Sequence, residues 1–295
     1  MRILVTDGMS KSAIEQLRNK GHEVVEQYYA PDALGGALQE YDCVVVRSKT
    51  KVRASHIDEA AKGKLKLIIR GGVGVDNIDV AYAENRGISV RNTPCASSAS
   101  VAELALGHMF SLARYIGIAN ATMRIGQWNK KQYEGSEIGG KILGLVGMGR
   151  IAQELAKRAK ALGMQVVYTC RSGEKKDLPQ YQYLPLEELL KTSDYVSLHI
   201  PVPADQKPVL GEAELALMKP TAYLINTARG GVVAVMHCWT RLMQESWQAR
   251  RWMCLRRSPL PMLPFTATPR CLLRPISADR QPKRKAESAT RSFQS

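Results

Sequence analysis

Apolar positions along the chain fall into two alternating patterns, short β-branched runs and stretches spaced by three and four residues. "RILVT" reads as a buried strand, and "SKSAIEQLRNKG" after it has helical spacing, with Ser10 or Ser12 to cap it and Gly21 to stop it. "DCVVVRS", "SHIDEAAKG" and "LKLIIRGGVGVDNID" repeat the alternation, the strands ending in polar or glycine-rich loops. "SSASVAELALGHMFSLARYIGIANATMRIG" reads as one long helix, its residues Val101, Leu104, Ala105 and Met109 recurring at helical steps, and it bridges to a second unit. There the sequence runs "KILGLV", "RIAQELAKRAKALG", "MQVVYT", "LEELLKT", "DYVSLHIP", "EAELALM" and "TAYLINTARGG". Strand and helix in alternation predict an α/β fold, parallel sheets with helices on their faces.

A length of 295 residues suffices for two domains, each with its own core. No apolar run reaches the ~20 residues of a membrane span, and "MRILVTDGMSKS" lacks the apolar stretch and cleavage site of a secretory leader. The expected location is the cytoplasm, with no membrane partner. Six cysteines contain no C-x-x-C pair, so neither a zinc site nor a disulfide framework is expected. The net charge of +15 is uneven: twelve Lys and Arg against Glu245, Asp279 and Glu287 place +9 of it after Val233. The basic "RQPKRK" there could attract phosphates, but no nucleic-acid reading motif accompanies it, so nucleic acid is not the expected partner. The remaining charge suits small anions.

"LGLVGMGRIAQELAKRAKALG" sets Gly147, Gly149 and Ala152 as G-x-G-x-x-A between a strand and a helix. In that context Gly147 serves the tight turn, Gly149 lets the backbone approach a pyrophosphate, and Ala152 permits close helix–strand packing. Arg150 and Ile151 open the helix, whose N–H groups and dipole favour the phosphates. The plainer alternative is a glycine turn in an unrelated α/β protein. After the second strand, where an acidic residue would select NAD through the ribose, stand Cys170 and Arg171. A thiol cannot accept two ribose hydrogen bonds, whereas Arg171 could pair with a 2′-phosphate. NAD or NADP is therefore the expected cofactor, with NADP tolerated or preferred unless Arg171 merely points to solvent.

The motifs "RSKT", "GGVGVDNID", "NTP", "SVAEL", "GKILGLVGMGRI" and "NTARGG", in this order and spacing, resemble the D-isomer-specific 2-hydroxyacid dehydrogenases, most nearly those acting on D-3-phosphoglycerate. The resemblance covers Met1 to about Val233. It implies two Rossmann-like domains, a substrate domain made from both chain ends and an inserted NAD domain, with the active site in the cleft and assembly as a homodimer or larger. On that basis residues 1–93 form the substrate domain, 94–233 the NAD(P) domain, and 234–295 a basic tail of disorder-prone composition, the cofactor domain being incomplete after about residue 233. The resemblance further implies that Arg47 helps bind a small anionic 2-hydroxy or 2-oxo acid, while the N–H groups of Val73 and Gly74 hold its carboxylate. Arg229 would grip the carboxylate and polarise the carbonyl oxygen, a task suited to a planar guanidinium. Ile200, Thr227 and Ala228 would line the cofactor. His199, at a strand end, reads as structural. The implied reaction is oxidation of D-3-phosphoglycerate to 3-phosphohydroxypyruvate in serine synthesis. The alternatives are a glyoxylate or hydroxypyruvate reductase, or a dinucleotide-binding protein without catalysis.

The resemblance also implies a histidine oriented by a glutamate as proton donor, in "DVF..EP" and "PHIG" segments after "ARGG". This chain has neither, and all 23 of its glycines lie at or before Gly231. The genetic code supplies a reading. Met236-His237-Cys238-Trp239-Thr240 is encoded ATG-CAY-TGY-TGG-ACN, which from the third base spells Ala-Leu-Leu-Asp whichever synonyms are used. In the same shifted frame Trp252-Met253-Cys254 forces Asp-Val, Arg257-Ser258-Pro259 permits Glu-Pro, and Leu273 to Ala278 permits Thr-Pro-His-Ile-Gly. The tail from about Ala234 thus reads as a frameshifted translation. Its three tryptophans (239, 247 and 252) and six prolines fit that origin.

Overall fold

A computed structural model describes residues 1–203, 205–234 and 251–254. The chain divides between Ser97 and Ser98 into two units. The first is β1 (Arg2–Val5), α1 (Lys11–Asn19), β2 (Glu23–Glu26), α2 (Pro31–Leu38), β3 (Cys43–Val46), α3 (Ala54–Ala60), β4 (Leu67–Arg70), α4 (Val80–Asn85) and β5 (Ser89–Asn92). Its five strands are all parallel, in the order β2-β1-β3-β4-β5. Alternation along each strand feeds two cores. Leu4, Val44, Val46 and Ile68 pack with Leu34, Leu38 and Ile57 of α2 and α3, while Ile3, Val5, Cys43, Val45 and Ile69 pack with Ile14 and Leu17 of α1. Ser10 caps α1, its hydroxyl accepting from the Ala13 N–H at 3.3 Å, and Gly21 turns the chain away at φ 80°.

The second unit is α5 (Ser98–Arg114), α6 (Ile116–Arg124), β6 (Ile142–Val146), α7 (Arg150–Ala161), β7 (Gln165–Thr169), β8 (Gln182–Tyr183), α8 (Leu186–Thr192), β9 (Tyr195–Leu198), α9 (Glu212–Leu217), β10 (Tyr223–Asn226) and β11 (Arg251–Cys254). These strands too are all parallel, ordered β11-β10-β9-β6-β7-β8. One face packs Leu143, Leu145, Tyr168 and Ile225 against Met109 of α5 and Leu155 of α7; the other packs Val146, Val196, Leu198 and Leu224 against Leu189 of α8 and Leu215 of α9. Burial on both faces is why these strands read as unbroken apolar runs.

Three features differ from the sequence reading. The long bridging helix is two helices, broken at Tyr115, which sits at φ 57° with its ring 5.6 Å from that of Tyr133. Packing explains the break: α5 buries a face from Val101 to Ala113, whereas α6 buries no residue, so nothing holds the second half to the same axis. The elements β2, α2, α4, β5 and β8 are short, partly exposed and without a strong period, which is why the pattern missed them. Finally, the sequence places nothing regular after Val233, yet β11 lies parallel to β10 with Tyr223 opposite Arg251. The unpaired N–H and C=O groups of a sheet edge accept any extended backbone, whatever its side chains. The expectation of disorder in the rest of 234–295 lies outside the described residues.

One half-buried ionic link ties the second sheet together. The Ile142 N–H and the Lys219 ammonium donate to the two oxygens of Asp194, each at 2.9 Å. Burial of Asp194 opposes its charge, but the Ile142 N–H and then Lys219 prevail and lower its pKa. A carboxyl with a lowered folded pKa contributes fully above its unfolded value of about 3.9 and loses that contribution as the pH falls through the folded one. Asp194→Asn is expected to cost roughly 1–3 kcal/mol at pH 7, with the difference from wild type shrinking below about pH 4. Urea unfolding at pH 7 and pH 3 checks this; an equal loss at both would contradict it.

Candidate functional site

In the second unit every expected cofactor residue follows the carboxyl end of a strand. Gly147 follows β6 at φ 96°, and its N–H donates to the Thr169 carbonyl at 2.8 Å. A β-carbon at Gly147 would stand 2.7 Å from both the His199 carbonyl oxygen and Ile200 Cγ2. This contact joins β6 to β9, the place where the strand order reverses and where open α/β sheets bind ligands. Gly149 is the N-cap of α7, in extended backbone, with nothing within 4 Å of the place its β-carbon would take. Arg150 is exposed, Ile151 half-buried, and Ala152 fully buried against the sheet. Gly147 is therefore closed in by protein while Gly149 is open, as a phosphate approaching the α7 N–H groups requires.

After β7, the Cys170 thiol donates to the Gly173 carbonyl at 3.0 Å, and Arg171 beside it is exposed. Half-buried His199 has its Nε2 3.0 Å from the Ser197 hydroxyl, and burial lowers its pKa to about 4, so it is neutral at pH 7. The "NTARGG" loop is shaped by Asn226, whose Oδ1 accepts from the Ala228 N–H at 3.0 Å while its Nδ2 donates to the Arg229 carbonyl at 2.8 Å. Half-buried Arg229 donates from Nη1 to the Ala228 carbonyl at 2.9 Å. The Thr227 hydroxyl is buried with no hydrogen-bond partner among the described residues. An open Gly149, a closed Gly147 and an orphaned hydroxyl on the same sheet edge fit a dinucleotide.

In the first unit Arg47 follows β3, and Val73 and Gly74 follow β4. Asp7, just after β1, holds the "RSKT" loop: one oxygen accepts from the N–H groups of Arg47 at 2.7 Å and Thr50 at 3.0 Å, the other from the Thr50 hydroxyl at 2.6 Å. Buried Asn77 donates to the Arg47 and Thr50 carbonyls, both at 2.7 Å. The Val73 carbonyl accepts from Asn92 Nδ2 at 2.6 Å and the Gly72 carbonyl from the Thr93 N–H at 3.1 Å. Within this unit the structure thus brings Arg47 and the Val73–Gly74 segment under one hydrogen-bond network. The sequence reading missed Asp7, Asn77, Asn92 and Asn226. Each is a short polar residue at the end of a strand or in the loop beyond it, a signal that marks many loops without telling which backbone group it holds.

Comparison with known proteins defines the class. Residues 106–278 match the family model described as the NAD binding domain of D-isomer specific 2-hydroxyacid dehydrogenases. The chain is 44% identical over 233 residues to a hydroxypyruvate reductase of Thermotoga maritima, covering 79% of this chain and 75% of that one. It is 41% identical to a D-3-phosphoglycerate dehydrogenase of Methanocaldococcus jannaschii, again over 79% of this chain but only 45% of the relative, less than half its length. A crystal structure of a Thermus thermophilus protein superposes with a TM-score of 0.87 at 34% identity, covering 98% of this chain and 93% of that one. The chain belongs to the D-isomer specific 2-hydroxyacid dehydrogenases, enzymes with an NAD-binding domain. No described helix is long and apolar enough to cross a membrane.

The two glycines separate stability from binding. Gly147→Ala must accept a strained φ and a clash against backbone, with an expected cost of roughly 2–4 kcal/mol in urea unfolding. Gly149→Ala enters open space at an N-cap and should cost no more than about 1 kcal/mol, yet weaken NADH binding at least tenfold by obstructing the phosphate. Equal stability losses, with unaltered NADH affinity in Gly149→Ala, would contradict the assignment.

Proposed function

We propose that this chain derives from an NAD(P)-dependent dehydrogenase that interconverts a D-2-hydroxy acid and its 2-oxo acid, with D-3-phosphoglycerate and 3-phosphohydroxypyruvate as the pair. The observation that carries the reading is the set of loops on the second sheet's carboxyl edge, where Gly147, Gly149, Thr227 and Arg229 follow β6 and β10. Gly147, Gly149, Arg150 and Ile151 would hold the pyrophosphate, with Ile200, Thr227 and Ala228 along the rest of the cofactor. Bound nicotinamide donates or accepts the hydride. Arg229 binds the substrate carboxylate and draws electron density towards the carbonyl oxygen, which favours attack at the carbon. Arg47 neutralises the anion, and the Val73 and Gly74 N–H groups take its carboxylate. A dimer or larger assembly belongs to the same reading.

Reduction of hydroxypyruvate or glyoxylate is the second reading, favoured by Cys170 and Arg171 at the position that reads the ribose. Cys170 has its proton committed to the Gly173 carbonyl, and exposed Arg171 can meet a 2′-phosphate. The solved acyclic imino acid reductase with a TM-score of 0.89, at 27% identity and covering 100% of this chain and 96% of that one, is in complex with NADPH and D-Arg. Binding titrations are expected to give a Kd for NADPH equal to or below that for NADH, and Arg171→Ala to raise the NADPH value alone. A large preference for NADH would refute the cofactor assignment.

The proton is the missing part of the chemistry. No described residue stands in for the family's histidine and glutamate, and we read the tail from about Ala234 as a shifted frame. Both curated relatives align over 79% of this chain, and the match to the family model runs on to residue 278. A non-catalytic dinucleotide-binding protein is the alternative if the tail is native. The chain as written is expected to bind cofactor weakly with little turnover. Restoring the frame by one base between the codons for Gly230 and Met236 should raise kcat by roughly 10²–10⁴ through the recovered acid–base pair. Equal activity of the two chains would refute the frame reading.

A further inference from the structure

Two loops carry the groups assigned to the substrate anion, and neither loop has a helix or strand of its own to hold it. Arg47 lies in a short turn after β3, and Val73 and Gly74 lie after β4. A flexible version of either would lose affinity, because ordering a loop on binding costs conformational entropy. The hydrogen bonds in this unit suppress that cost in a directed way.

The Val73–Gly74 segment depends on peptide geometry. In a trans peptide the C=O and the following N–H point in opposite directions. The Gly72 carbonyl is taken by the Thr93 N–H and the Val73 carbonyl by Asn92 Nδ2, both at the end of β5. The N–H groups of Val73 and Gly74 must therefore point away from β5, side by side, and neither donates within the described residues. Two adjacent, outward N–H groups form an anion-binding concavity.

The Arg47 loop is gripped on both kinds of backbone group. Asp7 accepts from its N–H groups at both ends, Arg47 and Thr50, and Asn77 donates to its carbonyls at the same two ends. Asn77 itself belongs to the loop that carries Val73 and Gly74, and its carbonyl accepts from the Val52 N–H at 2.8 Å. One side chain thus fixes the spacing between the two anion-binding segments.

We infer that Asp7, Asn77 and Asn92 are positioning residues that hold Arg47 and the paired Val73 and Gly74 N–H groups as one preformed receptor for the substrate's carboxylate. The inference rests on the roles proposed above for Arg47, Val73 and Gly74. None of the three positioning side chains is required to touch the substrate; each acts through the backbone group that it holds.

The test is titration of oxamate, a stable isostere of a 2-oxo acid, into the full-length chain saturated with NADH, beside a titration of NADH alone and a thermal melt. Asp7→Ala and Asn92→Ala are expected to raise the oxamate Kd about tenfold while the NADH Kd, set by loops in the other unit, stays within twofold. Asp7→Asn keeps an acceptor for the Arg47 and Thr50 N–H groups and offers a donor to the Thr50 hydroxyl, so it should restore most of the affinity. If oxamate affinity survives in Asp7→Ala and Asn92→Ala but falls in Arg47→Ala, positioning is refuted while the role of Arg47 stands. If both Kd values rise together with a collapsed melt in the alanine variants and Asp7→Asn rescues neither, the side chains are merely structural and the inference is overturned. If wild type binds no oxamate, or Arg47→Ala leaves its Kd unchanged, the role of Arg47 falls and takes the inference with it.

Discussion

Parallel strands cannot be joined by tight turns, so each connection crosses a sheet face and covers it with apolar side chains. In both units this commits Ile3 and Leu4, Leu143 and Leu145 to dry layers and leaves only strand ends for polar chemistry. Asp7, Arg47 and Asn92, like Gly147, Cys170, His199 and Thr227, all lie at or just past a carboxyl end. The site's location is thus a consequence of how the cores are buried.

Loops at such ends need a reason to keep one shape, and the two units solve this differently. In the second, steric closure does it: Gly147 lies against the His199 carbonyl with no room for a β-carbon. In the first, short polar side chains do it, with Asp7, Asn77 and Asn92 each holding backbone groups of a neighbouring loop. Asn226 repeats that device beside Arg229. A rigid receptor spares the ordering cost that binding would otherwise bear.

The end of the cofactor sheet illustrates what an edge tolerates. β10 presents a row of backbone groups, and Arg251–Cys254 pairs with it along the full strand. Backbone pairing is indifferent to which side chains the added strand carries. Catalysis is not, because a proton donor requires a particular imidazole at a particular place. A segment can therefore complete a sheet without completing an active site.

Periodicity sufficed for β1, β3, β4, β6, β7, β9 and β10 and for α1, α3 and α7, since strands buried on both faces and amphipathic helices write their environment into local composition. The glycine spacing likewise marked the turn from β6 into α7, because close approach admits few residue types. The break at Tyr115 was invisible, since it follows from α5 packing on the sheet while α6 buries nothing, a difference the local pattern does not record. The partners of Asp7, Asn77, Asn92 and Asn226 were equally hidden. Asn77 and Arg47 are 30 residues apart, and Asp7 and Arg47 are 40. What lies within a turn of helix or strand is fixed by the local sequence; which carbonyl a distant amide reaches is decided only when the strands take their order in the sheet.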